Sequence, residues 1–220
     1  MAKSLSCFLV YFRGEMSHKQ RTIRSYEDTA EAYAEKVKDL APVPSIDRFV
    51  ALLPPKARIL DLGCGSGRDA KLFTDRGLAV LGADLSSNLI AIAKGTAPKA
   101  EFQIMDMENL DLPPSSFDGV WAACSLHHAP KRLFPSVLDR IRSILKKEGL
   151  FYLTLKMGSG EALEKDTRYG DFDKFWAYYE EAELENLVRA AGFKILETTL
   201  IQKSFAYQTH PCIRIFCRKE

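Results

Sequence analysis

The residues with the clearest chemical potential form a glycine-rich turn. The segment Asp61–Arg68 reads Asp-Leu-Gly-Cys-Gly-Ser-Gly-Arg and follows a short apolar run. Glycine lets the backbone approach a ligand closely, at dihedral angles that other residues resist. A helix that begins after such a turn offers free backbone N–H groups to an anion. Asp84 ends the next apolar run with a carboxylate that can accept both hydroxyl groups of a ribose. This combination predicts a site for an adenine nucleotide.

The spacing within the turn restricts the type of nucleotide. Dinucleotide-binding enzymes use a Gly-x-Gly-x-x-Gly turn, in which the third glycine brings the helix and the pyrophosphate together. This chain has Gly-x-Gly-x-Gly, with Arg68 at the position of that third glycine. The arginine therefore argues against a small NAD-dependent dehydrogenase.

Two adjacent histidines, His127 and His128, could take part in proton transfer. A neutral imidazole can take a proton from a hydroxyl or an amine near neutral pH. Adjacent residues point in different directions, so at most one of the pair is expected to face a substrate. The alternative is that both only shape the pocket. No metal site is predicted, because the pair lacks a third ligand at a useful spacing.

The elements that position these residues alternate between strands and helices. Short apolar runs predict strands at 58–62, 78–84, 100–105, 117–124 and 150–156. Helical patterns cover 17–40, 45–53, 68–76, a segment capped by Ser86, 133–147 and 181–191. The last two strands, 193–201 and 212–218, are joined by a link too short for a parallel crossover. The predicted fold is a doubly wound α/β domain with a seven-stranded, mostly parallel sheet, an antiparallel last strand and helices on both faces.

Composition places the chain among ordinary globular proteins. Its 220 residues suit one domain, and the net charge of +2 does not indicate a basic nucleic-acid binder. Five cysteines without close pairing are typical of reduced thiols in the cytoplasm, the location we expect. Residues 1–15 are predicted to be a peripheral extension that is too short and too poorly bounded to be a membrane span or signal peptide. Residues 16–220 would form the domain, and a native start at Met1 or at Met16 remains open.

The combined motifs resemble those of class I S-adenosylmethionine-dependent methyltransferases. The similar segments are Ile59–Gly67, Asp84–Ser86, Asp106–Met107, Phe117–His128, Ser143–Leu155 and Ala190–Phe193. The family's usual proline is missing from the end of the helix before the fifth strand. The matches run from about Tyr26 to the C-terminus and cover most of the chain.

This resemblance implies S-adenosylmethionine as cofactor, S-adenosylhomocysteine as product and a role for each matching residue. The glycine turn would pass under the methionine part, while Asp61 would orient its amino group. Asp84 would bind the ribose, Asp106 the adenine amino group, and the backbone of Met107 the adenine ring. The carbonyl near Cys124 would hold the methionine amine, and a leading helix would form a lid. The complete predicted cofactor set is Tyr26, Tyr33, Asp61, Gly63, Cys64, Gly65, Gly67, Arg68, Asp84, Leu85, Asp106, Met107 and Cys124.

A small insertion at about residues 157–180 is expected to help build the pocket for the methyl acceptor. It is rich in aromatic residues, which could stack on a planar acceptor or pack a small subdomain. The predicted substrate-binding residues are Lys156, Phe175, Trp176 and Tyr179, and the predicted catalytic residues are His127 and His128.

The leading interpretation is methyl transfer to an oxygen or nitrogen of a small-molecule acceptor. One alternative is a tRNA methyltransferase acting on a modified wobble uridine, since Arg168–Leu187 weakly resembles that group. RNA binding has no support from the charge, and no membrane partner is expected. Another alternative is a non-catalytic, cofactor-binding partner subunit. The acceptor and the oligomeric state do not follow from the sequence.

Overall fold

A mixed β-sheet occupies the centre of the protein. The computed structural model describes residues 16–168, 170–203 and 209–220, so the predicted extension at 1–15 lies outside the described residues. The strands are β1 (Arg58–Leu62), β2 (Ala79–Asp84), β3 (Glu101–Ile104), β4 (Phe117–Ala123), β5 (Leu145–Lys156), β6 (Glu161–Asp166), β7 (Phe172–Ala177), β8 (Phe193–Ile201) and β9 (Cys212–Lys219).

Seven of these strands form one sheet in the order β3-β2-β1-β4-β5-β9-β8. The pairs from β3 to β5 are parallel, whereas β9 is antiparallel to both β5 and β8. The strand order reverses between β1 and β4, which makes the carboxyl ends of these two strands the expected position of a ligand. The predicted sheet, including its antiparallel last strand, is confirmed.

The helices pack around this sheet. They are α1 (His18–Asp28), α2 (Ala30–Val37), α3 (Val43–Ala51), α4 (Arg68–Asp75), α5 (Ser87–Thr96), α6 (Phe134–Ile144) and α7 (Glu181–Ala190). Ser17 forms a capping box with Gln20 at the start of α1, and Ser86 caps α5, as predicted, by accepting the N–H of Leu89. No helix in the described part of the chain is both long and apolar enough to cross a bilayer.

Alternating residues of the central strands build a core on each face of the sheet. Leu60 packs on one face with residues of α6 and α7, among them Val137 and Leu184. Ile59 packs on the other face with α3 and α4, where Trp121 and Tyr152 stack with ring centroids 3.6 Å apart. Helices therefore cover both faces of the sheet, as predicted.

Two segments differ from the sequence prediction. The predicted helix over 17–40 is broken at Thr29, whose hydroxyl donates to the carbonyl of Ser25 at 2.6 Å and competes with the helical hydrogen bonds. The helix predicted to reach 147 ends at Ile144, because Leu145 is extended and already pairs with Phe117 of β4.

The insertion contains regular structure that the sequence did not reveal. β6 and β7 form a two-stranded antiparallel hairpin, with Glu161 opposite Ala177 and Asp166 opposite Phe172. This hairpin packs against α1 rather than joining the main sheet. The backbone N–H of Phe175 donates to the hydroxyl of Thr22 at 2.9 Å, and Arg21 pairs with Asp173 at 3.2 Å. The hairpin and α1 thus form one layer over the carboxyl ends of the strands.

Candidate cofactor and acceptor site

Two adjoining cavities lie between the carboxyl ends of the strands and the layer formed by α1, α2 and the hairpin. The first has a volume of about 100 Å³ and faces the glycine turn, the end of β2 and α1. The second has a volume of about 260 Å³ and faces the end of β5, the hairpin and α2. Tyr26, Tyr33, Ala123 and Cys124 line both cavities. The two cavities therefore share one wall.

The glycine turn gives the first cavity its floor. Gly63, Gly65 and Gly67 all have left-handed backbone angles, with φ of 77°, 53° and 79°. The backbone also runs close to its neighbours: a Cβ on Gly63 would lie 2.2 Å from the Cβ of Ser125. The N–H of Gly63 donates to the carbonyl of Ala83 at 2.7 Å, which fixes the turn to β2. Only glycine fits this conformation and this spacing.

The carboxylate of Asp84 is fixed at the end of β2 and faces the first cavity. One oxygen accepts the N–H of Gly65 at 2.9 Å, and the other accepts the N–H of Ser86 at 2.9 Å. Burial raises the pKa of Asp84 above 3.8, although the two backbone hydrogen bonds oppose this rise. Each oxygen keeps acceptor capacity for a further hydroxyl group.

Helix α1 is held over the first cavity by polar contacts at both of its ends. Lys19 binds Asp106 at 2.6 Å and Glu108 at 2.5 Å, just beyond β3. Glu27 accepts the N–H groups of Ser87 and Asn88 at the start of α5. These contacts join residues that are 60 to 89 positions apart in the chain. Helix α1, the predicted lid, therefore lies over the first cavity.

A chain of hydrogen bonds joins the lid to the hairpin through His128. The ring nitrogen Nδ1 lies 2.8 Å from the carbonyl of Phe175, and Nε2 lies 3.0 Å from the hydroxyl of Tyr26. A carbonyl only accepts, so Nδ1 donates to Phe175 and Tyr26 donates to Nε2. Burial lowers the pKa of His128 to about 3, which keeps the imidazole neutral. Nδ1 thus fixes the ring to the hairpin, and Nε2 holds the hydroxyl group of Tyr26.

His127 lies in the second cavity instead. Its side chain is buried, and no described residue forms a hydrogen bond with Nδ1. Burial, with repulsion from His128 and Lys156, holds the pKa of His127 well below 6.5. The imidazole is therefore neutral, and its unpartnered nitrogen Nδ1 is buried.

Lys156 ends β5 and places its ammonium group on the face of Trp176. The nitrogen lies 3.1 Å from the centre of the indole ring, and the residue is only 8% exposed. Burial, together with the nearby Arg168, lowers the pKa of Lys156 to about 8. The second cavity therefore contains a buried cation supported by an aromatic ring.

The hairpin adds a buried ion cluster behind this wall. Asp166 binds Arg168 through both of its oxygens at 2.8 Å and Lys174 at 3.0 Å. These two cations hold the pKa of Asp166 well below 3.8 despite its burial. Lys174 also lies 3.9 Å from the ring centre of Tyr26, which connects the cluster to the lid. The sequence analysis missed this cluster, because neither the residue types nor their spacing indicate it.

Cys124 lies where the two cavities meet. Its N–H donates to the carbonyl and the hydroxyl of Thr154, and its φ of 54° turns the chain sharply after β4. A hydrogen bond from Cys212, together with Thr154, lowers the pKa of Cys124 to about 6. Cys212, from β9, also lines the second cavity, a position that nothing in its sequence context indicates.

The cavities bring together most of the residues predicted from the sequence. The predicted cofactor residues that line the first cavity are Tyr26, Tyr33, Gly63, Gly65, Asp84, Leu85, Asp106, Met107 and Cys124, and His128 lines it as well. The predicted residues that line the second cavity are Tyr26, Tyr33, Arg68, Cys124, His127, Lys156 and Trp176. Those that line neither cavity are Asp61, Cys64, Gly67, Phe175 and Tyr179.

The residues outside the cavities lie close behind them. Asp61 is buried next to the glycine turn, and its Oδ2 has no hydrogen-bond partner among the described residues. Burial and the nearby Asp69 raise the pKa of Asp61 well above 3.8. Phe175 packs on His18 of the lid, and Tyr179 is buried against Phe134 of α6.

Comparison with known proteins finds similarity to methyltransferases. Residues 59–149 match the family described as "Methyltransferase domain". The chain is 32% identical over 161 residues to 27-O-demethylrifamycin SV methyltransferase of Amycolatopsis mediterranei, which covers 63% of this chain and 58% of that protein. It is 32% identical over 156 residues to trans-aconitate 2-methyltransferase of Variovorax paradoxus, which covers 70% and 56%. The chain thus spans just over half the length of these relatives.

A solved structure shares the fold. The 1,6-didemethyltoxoflavin-N1-methyltransferase of Burkholderia thailandensis was solved with bound 1,6-didemethyltoxoflavin and S-adenosylhomocysteine. It superposes with a TM-score of 0.67 at 23% identity, covering 90% of this chain and 84% of that one.

Proposed function

We propose that the chain is a class I S-adenosylmethionine-dependent methyltransferase and that it transfers the cofactor's methyl group to an oxygen or nitrogen of a small-molecule acceptor. The observation that carries this proposal is the pair of cavities that meet at Tyr26, Tyr33 and Cys124. A transferase of this kind must hold two reactants in contact, in line and away from water.

The residues of the first cavity fit S-adenosylmethionine. The glycine turn provides a floor on which a Cβ at Gly63 would collide with Ser125, so the backbone there remains bare. The fixed carboxylate of Asp84 is arranged to accept the hydroxyl groups of a ribose, and Asp106 faces the same cavity. Next to the turn, Asp61 has an unpartnered buried oxygen that can accept a hydrogen bond through water from an ammonium group. When bound, the cofactor supplies a methyl group activated by a positively charged sulfur.

The remaining residues exclude water, position the acceptor and move a proton. Tyr26 and Tyr33 contact each other edge to face, with ring centroids 5.4 Å apart, and they cover the place where the two cavities meet. His128 holds Tyr26 in that position, so its imidazole is occupied. His127 is left to accept the proton that a hydroxyl or amine acceptor would release.

Two properties of the relatives and of the cavity support a small acceptor. The names of the curated relatives specify a rifamycin derivative and trans-aconitate. The second cavity has a volume of about 260 Å³, and residues of the lid and of the hairpin line it. For the tRNA alternative, we expect no salt-dependent tRNA binding at low ionic strength, and such binding would reverse this choice.

Calorimetry with S-adenosylmethionine and S-adenosylhomocysteine tests the proposal. We expect dissociation constants in the micromolar range, about −8 kcal/mol. The variants Asp84→Ala and Asp84→Asn should lose most of this affinity, because the ribose contact is removed or weakened. Asp75→Ala is the matched control, since it removes an exposed carboxylate far from the cavities, whose ion pair within the described residues is with Lys71. If folded wild-type protein binds neither ligand, the proposal is wrong.

A further inference from the structure

The lining of the second cavity is positively charged. Its ionisable side chains include Arg68, Lys156, Arg168, His127 and His210, and no aspartate or glutamate lines the cavity in the described part of the chain. Outside the described residues, the sequence has a single carboxylate side chain, that of Glu15. The two histidines have pKa values below 6.5 through burial and are neutral. The charge of the cavity therefore comes from the lysine and the two arginines.

Carboxylates already bind both arginines. Arg168 is bound through two nitrogens by Asp166, which lies outside the cavity. Arg68 binds Asp69 at 2.7 Å through Nε and donates to the carbonyl of Val37 through Nη1. Lys156 differs from both, because no carboxylate of the described residues forms an ion pair with it. Lys156 is therefore the cation of the cavity wall that no carboxylate of the described residues pairs with.

Burying that charge disfavours the folded protein unless an anion comes to it. The ammonium group of Lys156 is buried with the residue 8% exposed, and the ring of Trp176 at 3.1 Å is its closest support. A buried cation without a paired anion is costly, and protein interiors avoid it unless it has a use. Lys156 lines the second cavity, which meets the first cavity at Cys124.

We propose that Lys156 binds a carboxylate group of the methyl acceptor and that Trp176 positions the lysine for this contact. This inference rests on the proposed function, and it specifies the acceptor class for the same site. One compact ammonium group matches the single charge of a carboxylate. A phosphate carries about two negative charges near neutral pH and would call for a second unpaired cation, whereas both arginines of the cavity already bind carboxylates.

The experiment measures ligand binding to the protein saturated with S-adenosylhomocysteine. The probes are acetate, succinate and benzoate, each paired with its uncharged amide, and inorganic phosphate is a separate arm. Calorimetry gives the affinities. Tryptophan fluorescence reports the location, because Trp176 lines the cavity whereas Trp121 is in the core. The variants are Lys156→Met, which keeps the length of the side chain, and Lys165→Met, an exposed lysine of the hairpin that serves as the control.

We expect at least one carboxylate to bind at least about tenfold more tightly than its amide, or about 1.4 kcal/mol. Lys156→Met should remove this preference and leave the affinity for S-adenosylhomocysteine unchanged, while Lys165→Met should retain both. The inference is overturned if no acid is preferred over its amide, if the preference survives in Lys156→Met, or if phosphate binds more tightly than every carboxylate. In each of these cases the proposed function stands. Failure of S-adenosylhomocysteine itself to bind would overturn both.

Discussion

Replacing Lys156 by methionine should make the protein more stable, which is the opposite of the usual effect of a substitution at a buried position. The lysine is 8% exposed and forms no ion pair with any carboxylate of the described residues. Methionine fills a similar volume without a charge. A residue retained for structure would destabilise the protein when replaced, whereas one retained for ligand binding would not.

The expected size follows from the lysine's environment. Its pKa falls from 10.5 to about 8, and at about 1.4 kcal/mol for each pH unit this disfavours the folded state by about 3 kcal/mol. The substitution also removes the contact between the ammonium group and Trp176, which for a buried pair stabilises by about 2 kcal/mol. The net gain in the free energy of unfolding is therefore about 1 kcal/mol. For a chain of this size, it would raise the melting temperature by about 2–4 °C.

Chemical denaturation of the wild type and of Lys156→Met, near neutral pH and again at about pH 10, provides the test. Between pH 8 and pH 10.5 the unfolded lysine keeps its proton while the folded one has lost it, so the wild type gains stability as the pH rises through this window. The advantage of the variant should shrink accordingly. Lys165→Met should change little at either pH. If Lys156→Met is less stable than the wild type near neutral pH, the lysine has a structural role and this reasoning is refuted.

Three further changes test the remaining parts of the site. Gly63→Ala should destabilise the protein by more than about 2 kcal/mol in urea, because its Cβ would lie 2.2 Å from Ser125 and its φ is 77°; Gly95→Ala, which has open space in α5, should be neutral or stabilising. Tyr26→Phe should weaken S-adenosylhomocysteine binding about tenfold in calorimetry, because the buried Nε2 of His128 loses the hydroxyl group that donates a hydrogen bond to it. An unchanged affinity would show that this contact between α1 and His128 does not support binding. Acidification from pH 6.5 towards pH 3 should lower the free energy of unfolding, since the unfolded His128 gains a proton that the folded one, with a pKa of about 3, resists; the slope of stability against pH should decrease in His128→Asn, and an equal slope would contradict the assignment.

Local sequence patterns were sufficient to predict the elements that hold the cofactor side of the site. β1 is a run of apolar residues that ends at glycines, and its predicted bounds, Arg58 to Leu62, match those of the structure. Ser86 was identified as a helix cap because a cap depends on residues only three positions away. Asp84 followed from the same logic, since the end of a parallel strand fixes where its side chain lies.

The acceptor side could not be predicted in the same way, because its properties depend on contacts between distant segments. The sequence identifies Lys156 as a candidate, but its lack of a carboxylate ion pair appears only when the hairpin directs Asp166 to Arg168 and Lys174 instead. The hairpin itself has a largely polar first strand, Glu161–Asp166, without the alternation that indicates a half-buried strand. Likewise, Lys19 reaches Asp106 across 87 positions.

The layer over the site has a consequence for how specificity can be exchanged between related enzymes. Its two parts, α1 with α2 and the hairpin β6–β7, come from opposite sides of residues 59–149, the segment that matches the shared family. Thr22 and Arg21 join them directly, through Phe175 and Asp173. A chimera that received only a foreign hairpin would have mismatched partners along this seam. Acceptor preference can therefore be transferred between related enzymes only by taking both segments from the same protein, because they are separate in sequence but pack against each other in the fold.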